Sequence, residues 1–192
     1  MAYRILVVLT LIGLTLYYSV YQKNSLDSQL APVGKGESVL KSLPKTEFKT
    51  LQGEKFGLHE FYETQKPELL VVHFWGTWCG PCERELPELL DLIKRYSDRP
   101  GVHFLLVAVN DEVMKIQKHL KTLKDPLGPQ IHWLLDNENA HRDIFGTTRV
   151  PETYVFSSDK AMFRKFVGPQ DWTKPQYFQT FDEFIQISQG CL

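Results

Sequence analysis

Cys79 and Cys82, separated by Gly80 and Pro81, are the residues whose types and spacing most directly imply chemistry in this 192-residue chain. A buried-strand pattern ends just before them and a helical pattern starts just after, which puts Cys79 in the first helical turn and Cys82 three residues on. Helical i, i+3 spacing lets two sulfurs close a small disulfide. The partial positive charge and free N–H groups of a helix start favour thiolate at Cys79. Pro81 is tolerated early in a helix because its missing N–H has no intrahelical acceptor there, and it stiffens the bridge. The implied reaction is exchange. Cys79 thiolate attacks a substrate disulfide, and Cys82 then attacks the Cys79 sulfur to release the product. Zinc is the main competing use of such a pair, but a structural site needs two further ligands, commonly a second Cys pair or closely spaced histidines, and the sequence supplies neither. A purely structural local disulfide is the other alternative. Cys191, beside the C-terminus, reads as an unpaired tail thiol or as a partner in a mixed disulfide.

The elements that must hold this pair are legible around it. Leu69 to Trp75 (LLVVHFW) is an almost unbroken apolar run, as expected of a central strand covered on both faces. After Cys82, apolar residues recur at Leu86, Leu89, Leu90 and Ile93, one face of a helix, which Asp98 to Gly101 ends. Val102 to Val109 is a second buried strand, with a helix expected from about Asp111 to Lys124. Further on, Ile131 to Leu135 reads as a short strand and Asn137 to Phe145 as a helix. Thr153 to Phe156 and Met162 to Val167 form a strand pair, and Lys174 to Ser188 a closing helix. Glu47 to Leu51 and Lys55 to Leu58, joined through Gln52 and Gly53, suggest a hairpin. The alternation implies an α/β fold on a mixed sheet.

Composition sets the class and excludes others. With 43% hydrophobic, 23% charged and 12% aromatic residues, the chain can build a core. Its net charge of -1, with both signs interspersed, lacks the basic face of a nucleic-acid binder. Three cysteines are too few for a disulfide-stapled scaffold.

Ile5 to Tyr21 is a run of seventeen residues without a formal charge, flanked by Arg4 and Lys23 and ending in Tyr17, Tyr18 and Tyr21. At about 1.5 Å per residue such a helix just spans a hydrocarbon core of about 30 Å, and the tyrosines suit the headgroup belt. No small-residue cleavage site follows, which favours an uncleaved anchor over a removed signal peptide. Residues 1–21 are therefore expected to form one transmembrane helix, 22–45 a polar linker and 46–190 the folded domain. Arg4 places the short end in the cytoplasm and the domain outside it, where disulfides form.

The segment FWGTWCGPCERELPEL closely resembles the active-site region of thioredoxin-like proteins of the TlpA/ResA type. The likeness runs from about Leu43 to the closing helix. It takes in Asp111 to Asp136, similar to that family's helix-strand insertion, and GTTRVPETYVF at Gly146 to Phe156. The resemblance implies a thioredoxin fold with an N-terminal hairpin and a reductant of exported protein disulfides, anchored in the cytoplasmic membrane and facing the periplasm or its equivalent. It implies service in cytochrome c maturation or metal-site assembly, with electrons from a membrane disulfide carrier and no cofactor beyond the cysteine pair. It further implies that Pro151 is the cis-proline facing the cysteines, with the Val150 backbone positioned to pair with a substrate strand. Glu85 matches the acid of the family's WCxxCxxE pattern, a proton-handling candidate whose alternative is a solvated helix acid. Pro87 also matches and should bend the helix. Trp75 and Trp78 read as packing around the site, in core or rim roles, with Trp78 also a candidate substrate contact.

Two positions depart from the pattern. His73 stands where thioredoxins carry a buried acid and related reductants often carry Asn. Either it assists deprotonation of Cys82 or it is a hydrogen-bonded core histidine. Glu152 stands where small or hydroxylated residues are common and is expected to tune the charge preference for substrate. A copper-binding chaperone using the cysteines and a histidine is the second function considered.

Overall fold

The computed structural model describes residues 13–15, 17–18, 40–124 and 128–189. The chain divides into two units, Met1–Glu37 and Ser38–Leu192. In the first, residues 13–15 and 17–18 are helical; the rest of the expected anchor, and the expected linker up to residue 39, lie outside the described residues, as does Cys191. Among the described residues no helix is long and apolar enough to cross a membrane.

The second unit contains β1 (Glu47–Thr50), β2 (Lys55–Gly57), α1 (Leu58–Gln65), β3 (Leu69–Trp75), α2 (Gly80–Arg95), β4 (Val102–Val109), α3 (Val113–Leu120), β5 (Ile131–Asp136), α4 (Ala140–Asp143), β6 (Glu152–Ser157), β7 (Met162–Val167) and α5 (Pro175–Ser188). They build one seven-stranded sheet in the order β2-β1-β5-β4-β3-β6-β7. Strands β3, β4 and β5 run parallel, and β6 pairs antiparallel with β3, so the sheet is mixed as expected. Every residue of β3 and β4 is buried, which accounts for their nearly continuous apolar sequences.

Period-2 alternation sorts the strand residues onto two cores. Leu69, Val71 and Trp75 of β3 and Phe104, Leu106 and Ala108 of β4 pack with α2 and α5. Leu70, Val72 and Phe74, with Leu105 and Val107, pack on the other face with Leu58 and Tyr62 of α1 and with Phe145. His73 is in phase with Val71 and Trp75, so it points toward the face that α2 covers.

Several boundaries differ from the sequence reading, among them helix α3, which covers Val113–Leu120 rather than Asp111 to Lys124. Helix α1 is absent from that reading: Leu58, read as the end of a strand, instead opens eight residues with no side-chain cap, stopped at Lys66 by a left-handed backbone (φ 45°). Leu58, Phe61 and Tyr62 do have i, i+3, i+4 spacing, but so short a run carries little periodic signal. Helix α4 covers four residues rather than nine, because Asp136 accepts from the N–H groups of Glu138, Ala140 and His141 and holds the preceding chain in a turn. The segment 41–43, read as the end of a linker, is fastened to the start of β7: the Leu43 N–H donates to the Lys160 carbonyl and the Met162 N–H to that of Lys41, while Leu43 is buried. Gln130 closes the far end of α2, its amide nitrogen 2.9 Å from the carbonyls of Tyr96, Ser97 and Arg99.

Candidate active site

Strand β3 delivers the chain at Trp75 to the turn Gly76–Trp78, and the end of β4 holds that turn in place. Asp111 accepts the Thr77 N–H at 2.6 Å and the Thr77 hydroxyl at 2.9 Å. The Trp78 indole N–H donates to the Val109 carbonyl at 2.9 Å. Gly76 permits this fold-back, since a Cβ there would sit 2.7 Å from the Trp78 ring nitrogen. Trp78 is left 59% exposed beside the cysteines, at the rim where a partner would arrive.

Cys79 is the N-cap of α2 rather than a residue of its first turn. Its backbone is extended, and its sulfur accepts the Cys82 N–H at 3.3 Å, with Pro81 inside the opening turn. The two cysteines are joined as a disulfide. A sulfur at the cap receives the amide and the dipole that stabilise a thiolate after reduction, which strengthens the sequence argument. Cys79 keeps 6% exposure and Cys82 none, so an incoming disulfide meets Cys79 first.

Val150–Pro151 is a cis peptide bond, as the resemblance implied. The Val150 carbonyl oxygen lies 3.7 Å from Cys79 Sγ, which brings the loop before β6 to the reactive sulfur. Pro151 is buried and Val150 is partly exposed.

Strand β3 and helix α2 bring His73 and Glu85 together. His73 is fully buried, its Nδ1 2.9 Å from Thr153 Oγ1 and its Nε2 3.4 Å from Glu85 Oε1. Glu85 is 4% exposed, and its Oε2 accepts the Gln170 N–H at 2.7 Å. Burial pushes the Glu85 carboxyl up to about 7, with the Gln170 N–H opposing and Glu88 adding to the rise. Burial also pushes His73 down to about 3, so its imidazole is neutral throughout the ordinary range. Glu85 is thus a buried acid rather than a solvated one.

Glu152 is not where a substrate would meet it. Its place on β6 puts it in phase with Tyr154 and Phe156, on the sheet face away from α2. It is 3% exposed and its Oε2 takes the Tyr154 hydroxyl and the Lys165 ammonium, each at 3.0 Å. The expectation that Glu152 tunes substrate charge is corrected: its charge is spent inside the fold.

Asp111, Thr153 and Gln170 were not anticipated. Asp111 offered one signal, an acid just past the carboxyl end of a buried strand, where α/β proteins gather their site loops. Thr153 and Gln170 carried none, because the partner of each lies about eighty residues away in sequence. Among the described residues no group of three or more His, Cys, Asp or Glu is arranged to hold a metal ion.

Residues 38–181 match the Redoxin family. The thioredoxin-like protein YneN of Bacillus subtilis is 30% identical over 140 residues, 72% of this chain and 76% of that protein. The thiol-disulfide oxidoreductase ResA of Bacillus cereus is 25% identical over 179 residues, 91% of this chain and 90% of its own. A thiol:disulfide interchange protein of the thioredoxin family from Chlorobium tepidum has the same fold, with a TM-score of 0.58 at 22% identity over 77% of this chain and 95% of the other. The capped cysteine pair, the cis-proline loop beside it and these matches agree: the chain belongs to the Redoxin family and is a thiol-disulfide oxidoreductase of the TlpA/ResA type.

Proposed function

We propose that this oxidoreductase works as a reductant of disulfides in exported proteins, held at the outer side of the cytoplasmic membrane by its N-terminal apolar segment. The carrying observation is the difference between the two sulfurs: Cys79 caps α2 at the rim, while Cys82 is fully buried within α2, three residues before the buried Glu85 on the same helix. Cys79 thiolate attacks the substrate disulfide RS–SR′, forming Cys79–S–SR and releasing R′S⁻, which takes a proton from solvent. Cys82 gives its proton to the Glu85 carboxylate and attacks Cys79 Sγ. The protein disulfide forms, RS⁻ leaves and is protonated in turn, and two electrons have passed to the substrate. Of the two buried groups Glu85 is the better proton acceptor, because its affinity lies near neutrality while that of His73 lies far below. Val150 and Pro151 would align the substrate strand and Trp78 would cover it. A membrane disulfide carrier would return the protein to the dithiol, and cytochrome c maturation or metal-site assembly would supply the substrates.

The copper-chaperone reading gains no such support, since the two ring nitrogens of His73 face Thr153 and Glu85. Replacing Cys82 with Ala blocks the second step, so non-reducing isolation from membranes followed by mass spectrometry should recover partners linked through Cys79. If no partner is trapped and the wild-type protein does not cycle between dithiol and disulfide, the proposal fails. Equilibration with glutathione buffers fixes the direction, and a potential as oxidising as the glutathione couple's would reverse it.

A further inference from the structure

His73 Nε2 and Glu85 Oε1 are both buried, and each lacks any hydrogen-bond partner, yet they face each other across 3.4 Å. A movement of about 0.3 Å brings such a pair into normal hydrogen-bond range. Two acceptors in contact with no proton between them would be costly in an apolar site. The remaining atoms are already committed. Glu85 Oε2 takes the Gln170 N–H, and Gln170 is itself fixed, its side-chain amide donating to the Gly168 carbonyl at 2.8 Å and accepting the Tyr177 hydroxyl at 2.7 Å. His73 Nδ1 faces only the Thr153 hydroxyl, a group that can donate or accept by turning its proton.

We infer that His73 changes tautomer in step with the protonation of Glu85, and that the Thr153 hydroxyl is the positioning group that makes both states possible. When Glu85 is protonated, its O–H donates to Nε2, the ring carries its proton on Nδ1, and Nδ1–H donates to Thr153 Oγ1. When Glu85 is ionised, the ring proton resides on Nε2 and donates to the carboxylate, while the Thr153 O–H turns to donate to Nδ1. Both ring nitrogens and both carboxyl oxygens are paired in both states and the ring is never charged. The imidazolium alternative would place a cation in a fully buried position, which the strong downward displacement of His73 opposes. The other titratable groups around Glu85 are Glu88 on its own helix and Tyr177 on α5; the disulfide-bonded cysteines do not titrate.

The inference deepens the reading of Glu85 as the acceptor of the Cys82 proton. A carboxylate awaiting that proton is held by Nε2–H, and once protonated it finds a lone pair at the same atom. An Asn at position 73 would have to turn its whole amide over to do this; the histidine moves only protons.

The test is histidine ¹⁵N NMR on the full-length oxidised protein in detergent, with His73 assigned by the loss of its signals in His73→Asn. The expected result is that the protonated-nitrogen resonance passes from Nδ1 to Nε2 as pH rises, with a midpoint at about 7 that coincides with the Glu85 carboxyl titration. In Glu85→Gln the Gln170 N–H still requires an oxygen, so the new amide turns its NH₂ to Nε2 and the ring stays Nδ1-protonated from about pH 5 to 9. One tautomer at every pH in the wild type, an imidazolium in that range, or a switch that persists in Glu85→Gln overturns the coupling. Proton transfer by Glu85 is judged separately: if Glu85→Gln leaves the rate of mixed-disulfide resolution and its pH profile unchanged, that reading fails whatever the tautomer does.

Discussion

The Asp111 carboxylate grips Thr77 at both its backbone N–H and its hydroxyl, and so ties the end of β4 to the turn that presents Cys79. The same carboxylate accepts the Glu112 N–H, and Asn137 bonds the Asp111 backbone on both its N–H and its carbonyl. Asp111→Ala leaves these donors without their acceptor in a partly buried place, a loss of roughly 1–3 kcal/mol. The turn also loses its hold on the cap geometry, so mixed-disulfide formation should slow by about 10- to 100-fold, the scale of a small misplacement of a reacting group. Urea unfolding of the oxidised protein and stopped-flow reaction with a model disulfide measure the two effects. Loss of stability with an unchanged rate would show that Asp111 serves the fold and not the site.

Gly76 is required by a neighbour rather than by its backbone. A methyl group there would meet the Trp78 indole at 2.7–3.2 Å. Trp78 is well exposed, so in Gly76→Ala the ring can swing outward and release the Val109 carbonyl, and the fold should lose no more than about 1–2 kcal/mol. Reaction with a bulky protein disulfide should fall several-fold, while reaction with a small aromatic disulfide should change little. Equal losses with both substrates would show that the cysteines, rather than the rim, had moved.

The positions of β3, β4, the site turn and α2 were readable because each is a long apolar pattern beside an unmistakable motif. Strand β3 runs Leu69–Trp75 and β4 Val102–Val109, as their composition indicated. The cis bond before Pro151 has no local signature, and only the likeness of GTTRVPETYVF to a known family pointed to it. Glu152 was misplaced because the strand was read as starting at Thr153, whereas β6 begins at Glu152, which pairs with Phe74 of β3. The His73–Glu85 contact was half legible. The family's WCxxCxxE pattern pointed to Glu85, but no local pattern could say that β6 would supply Thr153 or that a loop backbone would supply Gln170.

Glu152 tests that corrected assignment. Its carboxylate balances Lys165, whose side chain is 21% exposed, and receives the Tyr154 hydroxyl, itself also bonded to Thr147 and the Phe145 carbonyl. Glu152→Ala should cost about 2–4 kcal/mol, below the full loss for a deeply buried pair because Lys165 can reach water. The ratio of rates for acidic and basic peptide disulfides should not move. A ratio shifted tenfold, with stability intact, would return Glu152 to the substrate surface.

His73 and Glu85 also leave a signature in stability against pH, because burial displaces them in opposite directions. Glu85 rises from 4.5 to about 7, so the folded protein binds the extra proton and stability falls as pH rises through this window. His73 drops from 6.5 to about 3, so the unfolded chain binds the extra proton and stability falls as pH drops through that window. Between pH 4.5 and 6.5 the two slopes cancel, and the pair contributes a plateau. Removing either partner exposes the other. Relative to wild type, Glu85→Gln should gain stability with rising pH across this interval and His73→Asn should lose it, each by roughly 2–3 kcal/mol from two units at about 1.4 kcal/mol per unit. Urea titrations of the oxidised proteins at pH 4.5, 5.5 and 6.5, taken as differences from wild type, cancel the remaining titrating groups. Parallel curves for all three proteins would mean that neither side chain is buried in the protonation state assigned to it.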